Sequence, residues 1–346
     1  MEENALVIAL LLIIVVLLFE FTNGFNDCAN MVVTPVVTGA LNPRTALFFI
    51  AVFEFLGAWL LGTAVADTLG KGIVNPENIT IPEIFAAVFA ALLWNLGGWY
   101  LGMPSSSSHA LIGGLLGAVA VGSGWEWIHW SKVWQVLGIL ILTPLVGLVA
   151  GHFFTKRIFD VAGNAKPGRI NRLFKRMQVF TSIGLALSHG SNDAQKGMGI
   201  ISLSLLLFYQ AAPEEMERIY QPLENQAFYV PDWVIVVCSL AIALGVSTGG
   251  WRIMKTLGAK LYKIRPIHGF SAQACSSTVI YLSSLFGFPV STTQIVSSSL
   301  LGAGSARYLG SVRWGVGRQI FLTWIITIPG SAILGGLIFF LINTFL

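Results

Sequence analysis

The sequence predicts an all-α polytopic membrane protein with about 12 membrane segments, arranged as two inverted-topology repeats with broken helices and two hairpins. Three observations lead there. Hydrophobic residues make up 55% of the 346 residues and charged residues 10%, outside the range of soluble domains. Apolar runs recur from Ala5 to Leu346, whereas a membrane barrel would alternate apolar and polar positions over strands of about ten residues. Two different polar motifs also interrupt the apolar runs, each occurring twice in the same order.

Taking the elements in order, the chain opens MEENALVIALLL. Acidic residues stand where a secretion signal carries basic ones and no small-residue cleavage site follows, so the first helix is read as retained. Apolar segments fall at about 5–23, 27–41, 45–67, 83–103, 108–123 and 133–154, then 178–189, 194–209, 232–250, 266–287, 293–305 and 315–343. Roughly twenty residues cross a bilayer as a helix. The segments at 27–41, 108–123, 178–189, 194–209 and 293–305 are shorter than that. Short or interrupted segments at corresponding places in two halves point to an inverted repeat.

The loops set an orientation. Residues 155–176 hold Lys156, Arg157, Lys166, Arg169, Arg172, Lys175 and Arg176, while residues 211–232 hold Glu214, Glu215, Glu217, Glu224 and Asp232 against Arg218. By the positive-inside rule the basic loop is cytoplasmic and the acidic loop external. With both termini outside, each half reads as a broken crossing, a return, a hairpin and a last crossing, which places 16 of the 20 Lys and Arg inside. The division is 1–154, a basic loop at 155–177, and 178–346, in a multi-pass protein of the plasma (inner) membrane. Cys28, Cys238 and Cys275 have no metal-like spacing and read as buried thiols. The net charge of +4 gives no footing for nucleic acid, because in such a chain the placement of basic residues matters more than their sum.

The motifs carry the chemistry. GFNDCAN, Gly24 to Asn30, is answered by GSNDAQK, Gly190 to Lys196, aligning Asn26 with Asn192 and Asp27 with Asp193. GMPSSSSHALIGGLLGA from Gly102 aligns without gaps to GFPVSTTQIVSSSLLGA from Gly287, pairing Ser106 with Ser291 and Ser107–Ser108 with Thr292–Thr293. In the second motif Pro104 suits a first helical turn, and the hydroxyls after it cap a helix start. A helix N-terminus carries partial positive charge and binds oxyanions. Ser105, Ser106, Ser107, Ser108, Ser291, Thr292 and Thr293, joined by Gln195, are therefore the candidates for a small tetrahedral anion; packing of small residues in lipid is the bland alternative.

In the first motif, Gly24 and Gly190 can end one helix and Asn or Asp can start the next. An ionised Asp at membrane depth is costly and marks function by default. Beside an anion site it needs a cation, and carboxylate and amide oxygens suit Na⁺ better than a transition metal. Asn26, Asp27, Asn30, Asn192 and Asp193 are the proposed Na⁺ ligands, with Glu54 as a third cation or proton group. Glu20 is open between an interface and a function, Lys196 leans towards pairing with an Asp, and His109 and His189 read as packing residues. The tryptophans near 125–134, and Trp251, read as interfacial anchors.

At these four motifs the chain resembles the PiT family of inorganic phosphate transporters, along essentially its whole length. That family carries a duplicated G-x-N-D-x-x-N-type signature and Pro-Ser/Thr-rich turns. The resemblance implies phosphate uptake driven by Na⁺ in some members and H⁺ in others, with essential acidic positions at Asp27, Asp193 and Glu54. Gln195 and Lys196 depart from Ala29 and Asn30, which puts the equivalence of two cation sites in question.

The function expected is secondary transport of inorganic phosphate inward with Na⁺ by alternating access, or else an H⁺-coupled phosphate or sulfate permease. No cofactor beyond the co-transported Na⁺ is called for; the partners are phosphate, Na⁺ and the lipid bilayer, with no nucleic acid, and homo-oligomerisation is left open. No G-x-x-x-x-G-K-[ST] loop appears to bind ATP. An enzyme using Ser105–Ser108 with His109 as base is disfavoured, because Gln294 replaces the base in the duplicate turn.

Overall fold

In the computed structural model, which describes residues 5–72, 79–162, 166–222 and 228–345, every regular element is a helix. In chain order these are α1 (Ala5–Val37), α2 (Pro43–Leu60), α3 (Ala64–Gly72), α4 (Ile81–Leu101), α5 (Ser107–Val121) and α6 (Trp130–Ala162). There follow α7 (Pro167–Ala211), α8 (Pro213–Met216), α9 (Asp232–Thr248), α10 (Trp251–Lys255), α11 (Pro266–Leu285), α12 (Thr292–Ser305) and α13 (Trp314–Phe345). Met1–Asn4, Glu224 of the acidic loop and Leu346 lie outside the described residues.

The predicted helix breaks at the two ND motifs do not exist. α1 runs through GFNDCAN for 33 residues, and α7 runs through GSNDAQK for 45. Segments 5–23 and 27–41 are one helix, as are 178–189 and 194–209. The glycines serve a different purpose. A Cβ on Gly24 would strike the Ile242 carbonyl of α9, and one on Gly245 would strike the Phe21 carbonyl of α1. At the crossing of α2 and α7, Gly57 and Gly190 face the carbonyls of Leu187 and Glu54 in the same way. Glycine here lets two backbones touch; its cost inside a helix, about 1 kcal/mol, is offset by that packing.

The real breaks lie one helix further on. Gly62, at φ +91°, separates α2 from α3, so the expected segment 45–67 is two pieces. Gly249, at φ +80°, separates α9 from α10, and the chain bends by 53° there. Five described helices are long and apolar enough to cross a membrane (α1, α2, α4, α6, α13), six if the bent α9–α10 pair is one span. Joining 5–23 with 27–41 in α1 and 178–189 with 194–209 in α7 takes the twelve expected segments to ten. Residues such as Phe48, Ile141, Phe153, Phe180 and Ile333 present an apolar outer surface.

The two hairpins are as the motif alignment predicts. Gly102 (φ +66°) ends α4 and Gly287 (φ +70°) follows α11, both in the left-handed region where Gly is strain-free. Ser106 and Ser291 then cap α5 and α12, accepting from His109 N at 3.2 Å and Gln294 N at 3.4 Å. Pro104 and Pro289 precede these caps instead of occupying the first helical turn, because the serine supplies the start. The pieces after the glycine breaks hold the turns: Thr68 of α3 donates to Gly287 O (2.7 Å), and Thr256, just after α10, donates to Gly102 O (2.8 Å). Buried Glu83 pins the α4–α5 hairpin, accepting from Thr80 N and Ser123 N, both at 2.6 Å.

Helix pairings recur in matching order. α1 packs on α9 and α7 on α2; α5 packs on α13 and α12 on α6. One apolar cluster gathers around Leu12, Val16 and Phe19 of α1 with Met198 and Ile201 of α7. The other gathers around Met31, Val32 and Val33 of α1 with Leu185 and Ala186 of α7. Between them along both helices runs a buried polar layer.

Candidate functional site

That layer holds Asp27 of α1 and Asp193 of α7, both buried. Each receives donors from the other's helix. Asn23 Nδ2 of α1 reaches Asp193 Oδ2 at 3.1 Å, and His189 Nε2 of α7 lies 3.3 Å from Asp27 Oδ2. Each is also served by the residue three positions on: Asn30 Nδ2 donates to Asp27 Oδ1 (2.8 Å), and Lys196 Nζ pairs with Asp193 Oδ2 (2.7 Å). Thus 23 and 189, 27 and 193, and 30 and 196 occupy equivalent positions, in line with the motif alignment.

The start of α12 closes the group. Thr293 Oγ1 donates to Asp27 Oδ1 at 2.5 Å, and Thr292 Oγ1 lies 3.2 Å from Asp27 Oδ2 and 3.3 Å from Asp193 Oδ2. The start of α5 lies alongside. Ser107 Oγ accepts from Lys196 Nζ at 3.2 Å, and Ser108 Oγ donates to Val290 O at 2.8 Å, joining the two hairpin turns directly. The α12 N-terminus therefore meets both carboxylates and the α5 N-terminus meets the lysine paired with one of them, each helix start with first-turn N–H groups lacking intrahelical acceptors and about half a positive charge. Of the two hydroxyl clusters, Ser107, Thr292 and Thr293 touch this centre, whereas Ser106 and Ser291 cap their helices and Ser105 lies against Gly98 of α4.

Glu54 of α2 adds a third acid, buried, with Oε1 2.5 Å from His189 Nδ1. Both ring nitrogens of His189 thus face carboxylate oxygens, and each contact needs one proton. His189 Nε2 also lies 3.7 Å from Asp193 Oδ2, so one imidazole meets all three acids. The Asp193–Lys196 pair is neutral when both are ionised.

Oxygen donors suited to a hard cation are present. One ligand atom from each of Asp27, His189 and Asp193 lies within 4.8 Å of the others. Asn26 Oδ1, Asn30 Oδ1, Asn192 Oδ1, Asp193 Oδ1 and Glu54 Oε2 are buried and have no hydrogen-bond partner among the described residues, a condition that costs free energy unless something binds there.

The structure brings Asp27, Asn30, Glu54, Asp193, Ser107, Thr292 and Thr293 together and sets the other expected residues at the margin. Asn26 and Asn192 send their amides outward, to Asn95 O (3.0 Å) and to Ser284 Oγ (3.0 Å) and Phe288 O (3.1 Å). Gln195 caps α3, accepting from Val65 N at 2.7 Å and Ala66 N at 3.2 Å, and also donates to Ser191 O. Glu20 is no interface residue: it is buried and accepts from Gly197 N at 2.7 Å. His189 is not mere packing, and Asn23 was not anticipated. The signal for both was available, since each stands four residues before an aligned Asp, one helical turn away. His109 does remain at the edge, 3.2 Å from Gln294 Nε2.

The chain is similar to known proteins along almost its whole length. A family model described as "Phosphate transporter family" matches the chain twice, over residues 23–167 and 159–335. A Bacillus subtilis (strain 168) protein named "Probable low-affinity inorganic phosphate transporter" is 39% identical over 341 residues, 98% of each chain. Proteins of the same name from Rhizobium meliloti (39%, 95% of each chain) and Mycobacterium leprae (37%, 98% of this chain and 79% of that one) are also similar. Among solved structures, one named "The sodium-dependent phosphate transporter" shares the fold, with TM-score 0.84 at 23% identity over 98% of this chain and 100% of that one.

Proposed function

The chain belongs to the phosphate transporter family, a family of multi-pass membrane transporters and not of enzymes, and from that premise we propose that it imports inorganic phosphate together with Na⁺ by alternating access. The carrying observation is that the α12 start meets Asp27 and Asp193 while the α5 start meets the Lys196 paired with Asp193. In this reading phosphate binds the first-turn N–H groups and hydroxyls of Ser105–Ser108 and Ser291–Thr293, while Na⁺ binds Asp27 with Asn26 and Asn30. Na⁺ sits between carboxylate and phosphate and cancels their repulsion, so each ligand strengthens the binding of the other. Asn192, Asp193 and Glu54 complete the acidic side. The sodium dependence named for the structural neighbour supports this reading.

The matching helix pairings support two inverted halves, 1–154 and 178–346, that rock about this layer. The buried layer between two apolar clusters corresponds to a closed intermediate of that cycle. A second reading, H⁺ coupling, is favoured by one feature, the Glu54–His189–Asp27 proton chain.

Purified protein in proteoliposomes tests both readings. Radiolabelled phosphate should accumulate above equilibrium when Na⁺ is higher outside at equal pH, and excess sulfate should not compete. Accumulation driven only by a pH gradient would transfer the coupling to H⁺. With neither gradient effective, the proposed symport is wrong.

A further inference from the structure

We infer that Lys196 is a built-in cation: its ammonium occupies the position that a second transported Na⁺ would take beside Asp193, so the chain carries one cation fewer than its two matched carboxylates suggest. The inference rests on the reading of Asp27 as a Na⁺ ligand.

It starts from the equivalence of positions 30 and 196. Both side chains lie one helical turn beyond an Asp and both hydrogen-bond it, at 2.8 Å and 2.7 Å. Both also touch a hydroxyl at a hairpin helix start. Asn30 Nδ2 lies 3.3 Å from Thr293 Oγ1, and Lys196 Nζ lies 3.2 Å from Ser107 Oγ. Each therefore bridges a carboxylate and an anion-binding turn, but only Lys196 brings a positive charge. On the Asp27 side the bridge is a neutral amide, so the charge between acid and anion has to come from solution.

The rest of the surroundings fits. Lys196 is 1% exposed and belongs to α7, where lipid-depth lysines are rare unless paired. A compact ammonium with three donors suits a point-charge site. Asn192 Oδ1 and Asp193 Oδ1 are buried without partners, and these oxygens would receive a cation if the ammonium were replaced by an amide.

The test counts bound Na⁺ directly. Detergent-purified wild-type protein, titrated with radiosodium in the presence of phosphate, should bind no more than one Na⁺ per chain. Lys196→Asn should bind one more, and its uptake should depend on Na⁺ with a Hill coefficient raised by up to one unit. The double variant Lys196→Asn, Asp193→Asn should lose the added site. A wild type that binds two Na⁺ overturns the inference without any variant, so misfolding of Lys196→Asn cannot shelter it; an unchanged count in a folded Lys196→Asn overturns it as well. The parent reading fails in a different way: wild type binding no Na⁺ removes the Asp27 assignment, while a site gained in Lys196→Asn would still support the built-in cation.

Discussion

Asp27 is the residue on which the proposal turns, because it collects donors from three helices: Asn30 of α1, His189 of α7, and Thr292 and Thr293 of α12. Asp27→Asn keeps the shape and removes the charge. The Na⁺ concentration for half-maximal phosphate uptake should rise about tenfold or more, equivalent to about 1.4 kcal/mol, while the thermal midpoint of the purified protein should not fall. An unchanged Na⁺ dependence would remove Asp27 from the cation site. At this scale the sequence was largely legible: a carboxylate in an apolar run has few explanations, and duplication singled out Asp27 and Asp193. For His189 and Asn23 the spacing of one helical turn before an Asp marked the position, but a polar side chain on a helix does not name its partner. Only the crossing of α1 over α7 puts each beside the other helix's acid.

The elements were harder to read than the residues. Gly24 followed by Asn26 and Asp27 has the local grammar of a helix stop and a new start, yet α1 continues. Tertiary contact decided the matter: the polar side chains find partners across the helix interface, so the backbone need not open, and the glycine is consumed by the contact with α9. The same residue type does end helices at Gly62 and Gly249, where φ is positive, but no single-sequence pattern separates the two uses. The hairpin starts were legible because Ser106 and Ser291 act through a local hydrogen bond that needs no distant partner. A contrast of glycines checks the crossing argument. Gly190→Leu forces a side chain into the Glu54 carbonyl and should cost about 1–3 kcal/mol, lowering the thermal midpoint and uptake together. Gly97→Ala, with nothing within 4 Å of the added carbon, should be neutral or stabilising by up to about 1 kcal/mol. Equal losses in both would refute the close-contact role.

At the scale of the whole molecule, the anion-binding turns and the acids share one buried layer, so their ligands must be coupled thermodynamically. In the purified protein, phosphate and Na⁺ together should raise the thermal midpoint by more than the sum of their separate effects. A ligand at 100 times its Kd contributes about 2.7 kcal/mol to stability, a shift of several degrees for a chain of this size. Additive shifts would mean two independent sites.

The mutual bracing of Asp27 and Asp193 also has a consequence for biosynthesis. A nascent chain delivers Asp27 to the bilayer long before His189 is made, and Thr292 and Thr293 come later still. Until His189 is made, this carboxylate has only Asn30 of these donors beside it, and at membrane depth it costs about 2.5–3.5 kcal/mol on insertion scales. The long apolar run that precedes it, with a mean hydropathy of 3.0 over 18 residues, offsets that cost, since each Leu, Ile or Val returns about 0.3–0.6 kcal/mol. The hydrophobicity of α1 is thus a provision for the interval before its partners exist. A chain released before α12 would keep an unbraced acid at membrane depth, the kind of defect by which membrane quality control can tell an unfinished protein from a finished one.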